Sequence, residues 1–329
     1  MRALPRPDGQ GFQLTRALNV RMTSSQPRAA ERDTRLRSHA RPLDAGASAL
    51  MTLLCLCWGL NQVAIKFALP EVPPFTQALI RTGGGLVIVL AWVFIRGMTL
   101  IKRDGTLWAG IAAGILFATE FLMIFAGLQF TSASRASLFI YTAPFVVALG
   151  APLVLPGERL GPTQWFGLVL CFVGLALAIG VPQANVDART LFGDLLLIGA
   201  GVSWGATTLV IKATRLNRVS PEKTLVYQLA VSVPIIAIAA FATERVSPMP
   251  GATALAWLAY QVLVVGITFP FWFWFIQRYA ATRVSAFTFL TPLFGVAAGC
   301  LLLREPFTLA FGVAVVLVLA GLALVNRPR

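Results

Sequence analysis

Apolar runs of about 20 residues recur along this chain from Gly46 to Val325, each the length a helix needs to cross about 30 Å of hydrocarbon. Lipid offers no hydrogen bonds, so such runs must satisfy their backbone internally, and helices do so within one segment. Only 12% of the residues are charged and 57% are hydrophobic, whereas a soluble domain carries about 25% charged residues. The expectation is an all-α polytopic membrane protein.

The net charge of +14 does not point to nucleic acid. Nine arginines lie in residues 1–45, and most other basic residues sit in short segments between apolar runs, which is how orientation signals are arranged. Residues 1–45 read as a disordered basic cytoplasmic leader, for want of apolar periodicity. Its acids, Asp8, Glu31, Asp33 and Asp44, argue against a mitochondrial transit peptide; an over-extended start is the other reading. The first apolar run exceeds a signal-peptide core and has no clear cleavage site, so it is expected to remain as a helix.

Loop punctuation divides the rest into ten expected spans. Five fall at about 46–68, 75–95, 107–128, 133–155 and 162–181, and five at about 193–213, 222–242, 253–276, 282–303 and 307–325. Pro70, Pro73 and Pro74, then Pro156 and Gly157, then Pro248 and Pro250 mark loops. With the N-terminus inside, twenty-one Lys and Arg fall on inner segments. Six fall at outer ends: Lys66, Arg81, Arg135, Arg189, Arg245 and Arg304. Both termini are therefore expected in the cytoplasm, with the chain in the cell (inner) membrane.

The two groups of five are related. "WGLNQVAIK" (Trp58 to Lys66) matches "WGATTLVIK" (Trp204 to Lys212) at an offset of 146, and "SRASLFIYTAP" (Ser134 to Pro144) matches "TRVSAFTFLTP" (Thr282 to Pro292) at 148. Glu158 aligns with Glu305, and Gly174 with Gly321. Because five is odd, the halves 46–181 and 193–325 must insert upside down relative to one another. Inverted repeats of this kind characterise secondary transporters, with the site near the midplane between the halves. An old duplication kept for stability alone is the alternative.

These motifs, the Trp-Gly…Lys opening, the Ala/Ser-rich entry ending in Pro and the following Glu, resemble the EamA family of the drug/metabolite transporter superfamily. The resemblance runs over about 46–325 and occurs in both halves. It implies a ten-helix carrier, often an exporter of amino acids or related small metabolites, without naming the substrate.

Trp58, Asn61 and Gln62 share one helix face, as do their counterparts Trp204, Thr207 and Thr208. Polar groups here should point into the bundle, either lining a cavity or bonding helices together at about 0.6 kcal/mol per bond. Tyr141, one turn before Pro144, has a hydroxyl that needs a partner if it faces inward, and Trp272 joins it as a cavity candidate. Pro144 and Pro292 fall mid-span, where each should kink its helix. The glycines Thr82 to Gly85, "TGGG", lack a following GK[ST] and read as close helix packing rather than a phosphate loop.

No catalytic set occurs: the one histidine, His39, lies in the leader, and no HExxH is present. Cys55, Cys57, Cys171 and Cys300 all lie in apolar runs, in positions that suit neither a metal site nor a disulfide. No enzyme activity, cofactor or metal is expected.

Glu120 stands out as an acid deep in a span, "LFATEFLMIFAG". A charge there costs about 2.5–3.5 kcal/mol on insertion scales. A carboxyl that takes up and releases a proton as its surroundings rehydrate is a coupling site; a permanently protonated hydrogen-bond donor is the bland alternative. Its repeat counterpart is Thr268, an asymmetry that fits a task specific to one half.

The two-fold relation also selects ion-pair partners. It permits Lys66 with Glu305 outside and Lys212 with Glu158 inside, as latches that each close one face. The alternative is that the lysines snorkel and the glutamates cap the fifth and tenth spans. The reading is a secondary transporter of a small polar or amphipathic metabolite, an exporter by family resemblance. It works by alternating access, driven by protons or by the substrate gradient, with the lipid bilayer and a small-molecule substrate as its partners. The rival is a non-transporting membrane receptor or scaffold, which would have lipid-filled packing between its halves and no polar cavity.

Overall fold

The computed structural model describes residues 43–327 apart from 101, 103, 132, 156, 180–186, 246–248 and 304–308. The expected leader, residues 1–42, lies outside the described residues. Among those described, every regular element is helical. They are α1 (Ala45–Ala68), α2 (Pro74–Ile95), α3 (Leu107–Gly127), α4 (Ala133–Ile140), α5 (Ala143–Val154) and α6 (Pro162–Ile179). Then follow α7 (Ala188–Ala213), a 3₁₀ turn (Arg215–Arg218), α8 (Pro221–Thr243), and α9 (Ala252–Leu263), which runs through a π-turn (Val264–Thr268) into α10 (Phe269–Arg278). The last are α11 (Ala281–Phe287), α12 (Leu290–Leu303) and α13 (Leu309–Asn326).

Eight helical stretches are long and apolar enough to cross a membrane, and Leu138–Val154 and Pro162–Ala178 are shorter apolar helices. Local chemistry sets the ends. Asp44 caps α1 by accepting from Ala47 N at 2.9 Å, and Ser220 caps α8 ahead of Pro221. Asp187 accepts from Thr190 N at 2.8 Å, so α7 starts at Ala188, five residues before the sequence-based boundary.

Two expected spans are broken rather than kinked. The chain leaves helical form at Tyr141–Thr142, between α4 and α5, and at Thr288–Phe289, between α11 and α12. Pro144 and Pro292 thus sit in the first turn after each break, where a missing N–H costs nothing because that donor is unpaired anyway.

The most extensive helix contacts all join the first half of the chain to the second: α6 with α13, α3 with α7 and α8, α2 with α8, α1 with α12 and α9, and α5 with α7. Glycines set the closest approaches, and they come in related pairs. A methyl group on Gly59 would lie 2.7 Å from Thr291 O, and one on Gly205 would lie 3.0 Å from Ala143 O. Gly205 follows Gly59 by 146 residues and Thr291 follows Ala143 by 148. Between α6 and α13, a Cβ on Gly174 would lie 3.0 Å from Ala314 O and one on Gly167 would lie 2.7 Å from Gly321 O, each approach the repeat image of the other. The "TGGG" stretch packs as expected: Gly84 and Gly85 face Val262 and Val265, leaving no room for a Cβ.

Hydrogen bonds sort the loops into two sets. In one, Leu43 and Asn326 exchange two bonds, Gln164 donates to Val325 O and Arg327 O, Tyr279 donates to Asp44, Gln277 donates to Leu216 O and Val219 O, and Lys223 donates to Asp104. In the other, Glu244 accepts from Phe75 N and Thr76 N, Glu71 accepts from Gly251 N, and Asp194 accepts from Thr131. Both described chain ends belong to the first set.

Candidate functional site

A continuous line of rings runs through the bundle and includes Tyr141, Trp204, Trp272 and Trp58 of the residues singled out in the sequence. Tyr141, at the α4–α5 break, meets Trp204 of α7 edge-on, with centroids 5.7 Å apart. Trp204 lies 6.4 Å from Trp272 of α10, and Trp272 lies 5.5 Å from Trp58 of α1. Trp58 contacts Phe269 at 6.0 Å, Phe269 contacts Phe117 of α3 at 6.1 Å, and Phe117 contacts Phe121 at 4.8 Å. The line ends at a charge: the Arg81 guanidinium lies over the Phe121 ring at 4.2 Å. Five well-separated stretches of chain, drawn from both halves, meet along it.

The polar members are held unequally. The Trp58 indole N–H donates to Thr268 Oγ1 at 2.8 Å, and that hydroxyl donates in turn to Val264 O at 2.6 Å, across the π-turn. Such a turn leaves backbone groups short of their usual partners and is common at functional sites. Asn61 Oδ1 is buried with no hydrogen-bond partner among the described residues. Thr207 and Thr208 donate back to their own helix, to Ser203 O and Trp204 O, so their hydroxyls can only accept from a ligand. The side chain of Gln62 lies outside the described residues.

Glu120 is buried in α3 and interacts electrostatically with Arg81 of α2. Arg81 is only 5% exposed, which corrects its placement at an outer helix end. The helix carries it more than one turn past Pro74, onto a face that packs inward. Sequence reading missed it because an arginine near a helix start resembles a loop charge; only the fold brings Glu120 opposite.

Of the two ion pairs expected from the repeat, one is described. Lys212 Nζ lies 3.7 Å from Glu158 Oε1, with both side chains 1% exposed. Lys212 also donates to Ile276 O at 2.5 Å and Tyr279 O at 2.6 Å. It does not snorkel, because these carbonyls end α10 and offer a buried cation its hydrogen bonds. Glu158 Oε2 accepts from Ala281 N at 2.8 Å, so it caps α11 of the opposite half rather than its own following span. Burial pushes the Glu158 carboxyl above its ordinary value, opposed by Lys212 and by the Ala281 and Thr282 N–H groups. The Lys66 side chain and Glu305 lie outside the described residues.

The described helices have the length and hydropathy of a membrane protein, with rings and opposed charges where its two halves meet. The sequence model of the EamA-like transporter family matches residues 46–180 and again 191–327. The chain belongs to the EamA-like transporter family. It is 25% identical over 270 residues to a protein of Bacillus subtilis named "Uncharacterized transporter YoaV", covering 81% of this chain and 92% of that one. It is 28% identical over 286 residues to an Escherichia coli protein named "Probable amino-acid metabolite efflux pump", covering 83% and 92%. A crystal structure at 20% identity shares the fold, with a TM-score of 0.75 over 86% of this chain and 99% of that one.

Proposed function

We propose that the chain is a ten-crossing secondary carrier, built of two inverted five-span repeats, that exports small metabolites such as amino acids by alternating access. The observation that carries this reading is the reciprocity of the contacts between halves: Gly59 on Thr291 and Gly205 on Ala143 exchange under the repeat offset. Two bodies related in this way can rock against each other about a site between them. The broken segments 133–154 and 281–303 count as one crossing each, and the two loop sets are then the two membrane faces. The face holding both chain ends is the cytoplasmic one, by its Lys and Arg. The name of the Escherichia coli relative, "Probable amino-acid metabolite efflux pump", supports the amino-acid class.

Glu120 carries the proton coupling. Its carboxylate holds either a proton or the cationic group of a substrate, and two occupants that exclude one another are exchanged across the membrane. Lys212 with Glu158 closes the inner face, and Lys66 with Glu305 the outer. The test is counterflow: purified protein in liposomes preloaded with each of a panel of amino acids, with labelled solute outside. Trans-stimulated uptake of at least one member is expected. Folded, incorporated protein that gives none with any solute would favour a receptor or scaffold instead.

A further inference from the structure

The ring of Phe121 covers one face of the arginine that ends the line, but it meets none of the N–H donors. Arg81 is 5% exposed on an apolar helix, and among the described residues its guanidinium makes no hydrogen bond, with Nε buried and unpartnered. A guanidinium carries five N–H donors in a planar fork, and leaving them unmet in a membrane interior is costly. A buried arginine kept for structure commonly takes a carboxylate in direct, often bidentate contact. Glu120 is near enough for its field to act on Arg81, yet the two form no direct ion pair, and the Glu120 carboxyl makes no hydrogen bond, among the described residues. Two opposite charges held apart, beside the rings of Phe117, Phe121 and Phe269, make the outline of one ligand.

We infer that Arg81 and Glu120 form a zwitterion-reading site: Arg81 takes the carboxylate of an α-amino acid, Glu120 takes its ammonium, and the rings take a large apolar side chain. The inference rests on the carrier reading above and narrows its substrate class. A zwitterion leaves the net charge of the site unchanged and supplies each group with its missing partner. A ligand lacking one end leaves a buried charge unmet, and discrimination of this kind is strong.

The test is competition for labelled L-leucine on the full-length protein in nanodiscs. The competitors are unlabelled L-leucine, 3-methylbutylamine (leucine without its carboxylate) and 4-methylpentanoate (leucine without its amine). The wild-type chain should prefer leucine to either analogue by about tenfold or more, the scale of one charge-assisted hydrogen bond. Arg81→Gln should erase the preference over the amine while keeping that over the acid, and Glu120→Gln the reverse. A merely structural role would move all three competitors together. If Arg81→Gln does not fold, Arg81→Lys, which keeps the charge but loses the fork, should show a reduced preference. Wild-type protein that binds no leucine, or a variant at Arg81 that keeps the full preference, would overturn the site. Counterflow of some other solute by protein that binds no leucine would overturn this site alone, whereas leucine discrimination without counterflow of any solute would overturn the carrier.

Discussion

The Trp58 indole donates to Thr268 at 2.8 Å, while the repeat image of that bond, Trp204 to Glu120, is not made: the Trp204 indole has ring contacts but no hydrogen bond among the described residues. Inverted repeats exchange conformations when a carrier changes sides, so the second bond is expected where the first is broken. Trp58→Phe should therefore disfavour the present state and Trp204→Phe the opposite one. Each loses about 0.5–1.5 kcal/mol, a roughly two- to tenfold shift. Labelling rates of single cysteines at Leu69 and Arg159, one in each loop set, report it. Shifts of the same sign in both variants would contradict the exchange.

The Lys212–Glu158 pair is buried, so its two members should be strongly coupled. Removing one partner of such a pair costs about 3–5 kcal/mol because the other charge is stranded. Lys212→Met and Glu158→Gln should each lower the unfolding temperature in detergent, and the double variant should lose clearly less than the sum. Additive losses would mean that the two side chains act independently.

A glycine contact between halves should not tolerate a side chain. A Cβ on Gly321 would lie 2.6 Å from Gly167 O and from Cys171 Sγ, and overpacking typically costs about 1–3 kcal/mol. Gly321→Val should lower stability and the yield of folded protein. Gly312, on the same helix with nothing within 4 Å, is the control: Gly312→Ala should be neutral or stabilising by up to about 1 kcal/mol. Equal behaviour of the two variants, by thermal unfolding, would remove α6 and α13 from the closely packed interfaces.

Lys223 and Thr106 hold the Asp104 carboxyl down to about 2, from an ordinary 3.8. A depressed acid contributes stability above its ordinary pKa and loses it as pH falls through the depressed one. The gap in unfolding temperature between wild type and Asp104→Asn should be steady above about pH 5 and close as the pH approaches about 2. A gap that does not change with pH would show that the carboxylate charge is not what ties Asp104 to α8.

Much of this arrangement was legible in the sequence, for physical reasons. Hydropathy runs mark helices because lipid admits little else, and the two-fold relation permits a Lys212–Glu158 pair, beside the alternative of a snorkelling lysine and a capping glutamate. The burial of that pair was not legible, because it depends on the α10 carbonyls of Ile276 and Tyr279 closing over Lys212. The breaks at Tyr141–Thr142 and Thr288–Phe289 were half visible: the prolines mark the place, but a kink and a break share one signature. Arg81 was misplaced because hydropathy counts a charge near a helix start as loop. Only the packing of α2 beside α3 puts it over Phe121 and within reach of Glu120.

Alternating access between two inverted halves is the central claim, and paired distances across the two loop sets test it most directly. Spin labels at Leu69 and Met249 span one set and labels at Arg159 and Arg278 the other, all exposed positions, in a chain with its four cysteines replaced. Measured by pulsed electron resonance in nanodiscs, with and without saturating L-leucine and at acid and neutral pH, the two distances should change in opposite directions. Two distances that widen together, or that stay fixed under every condition, would contradict the account.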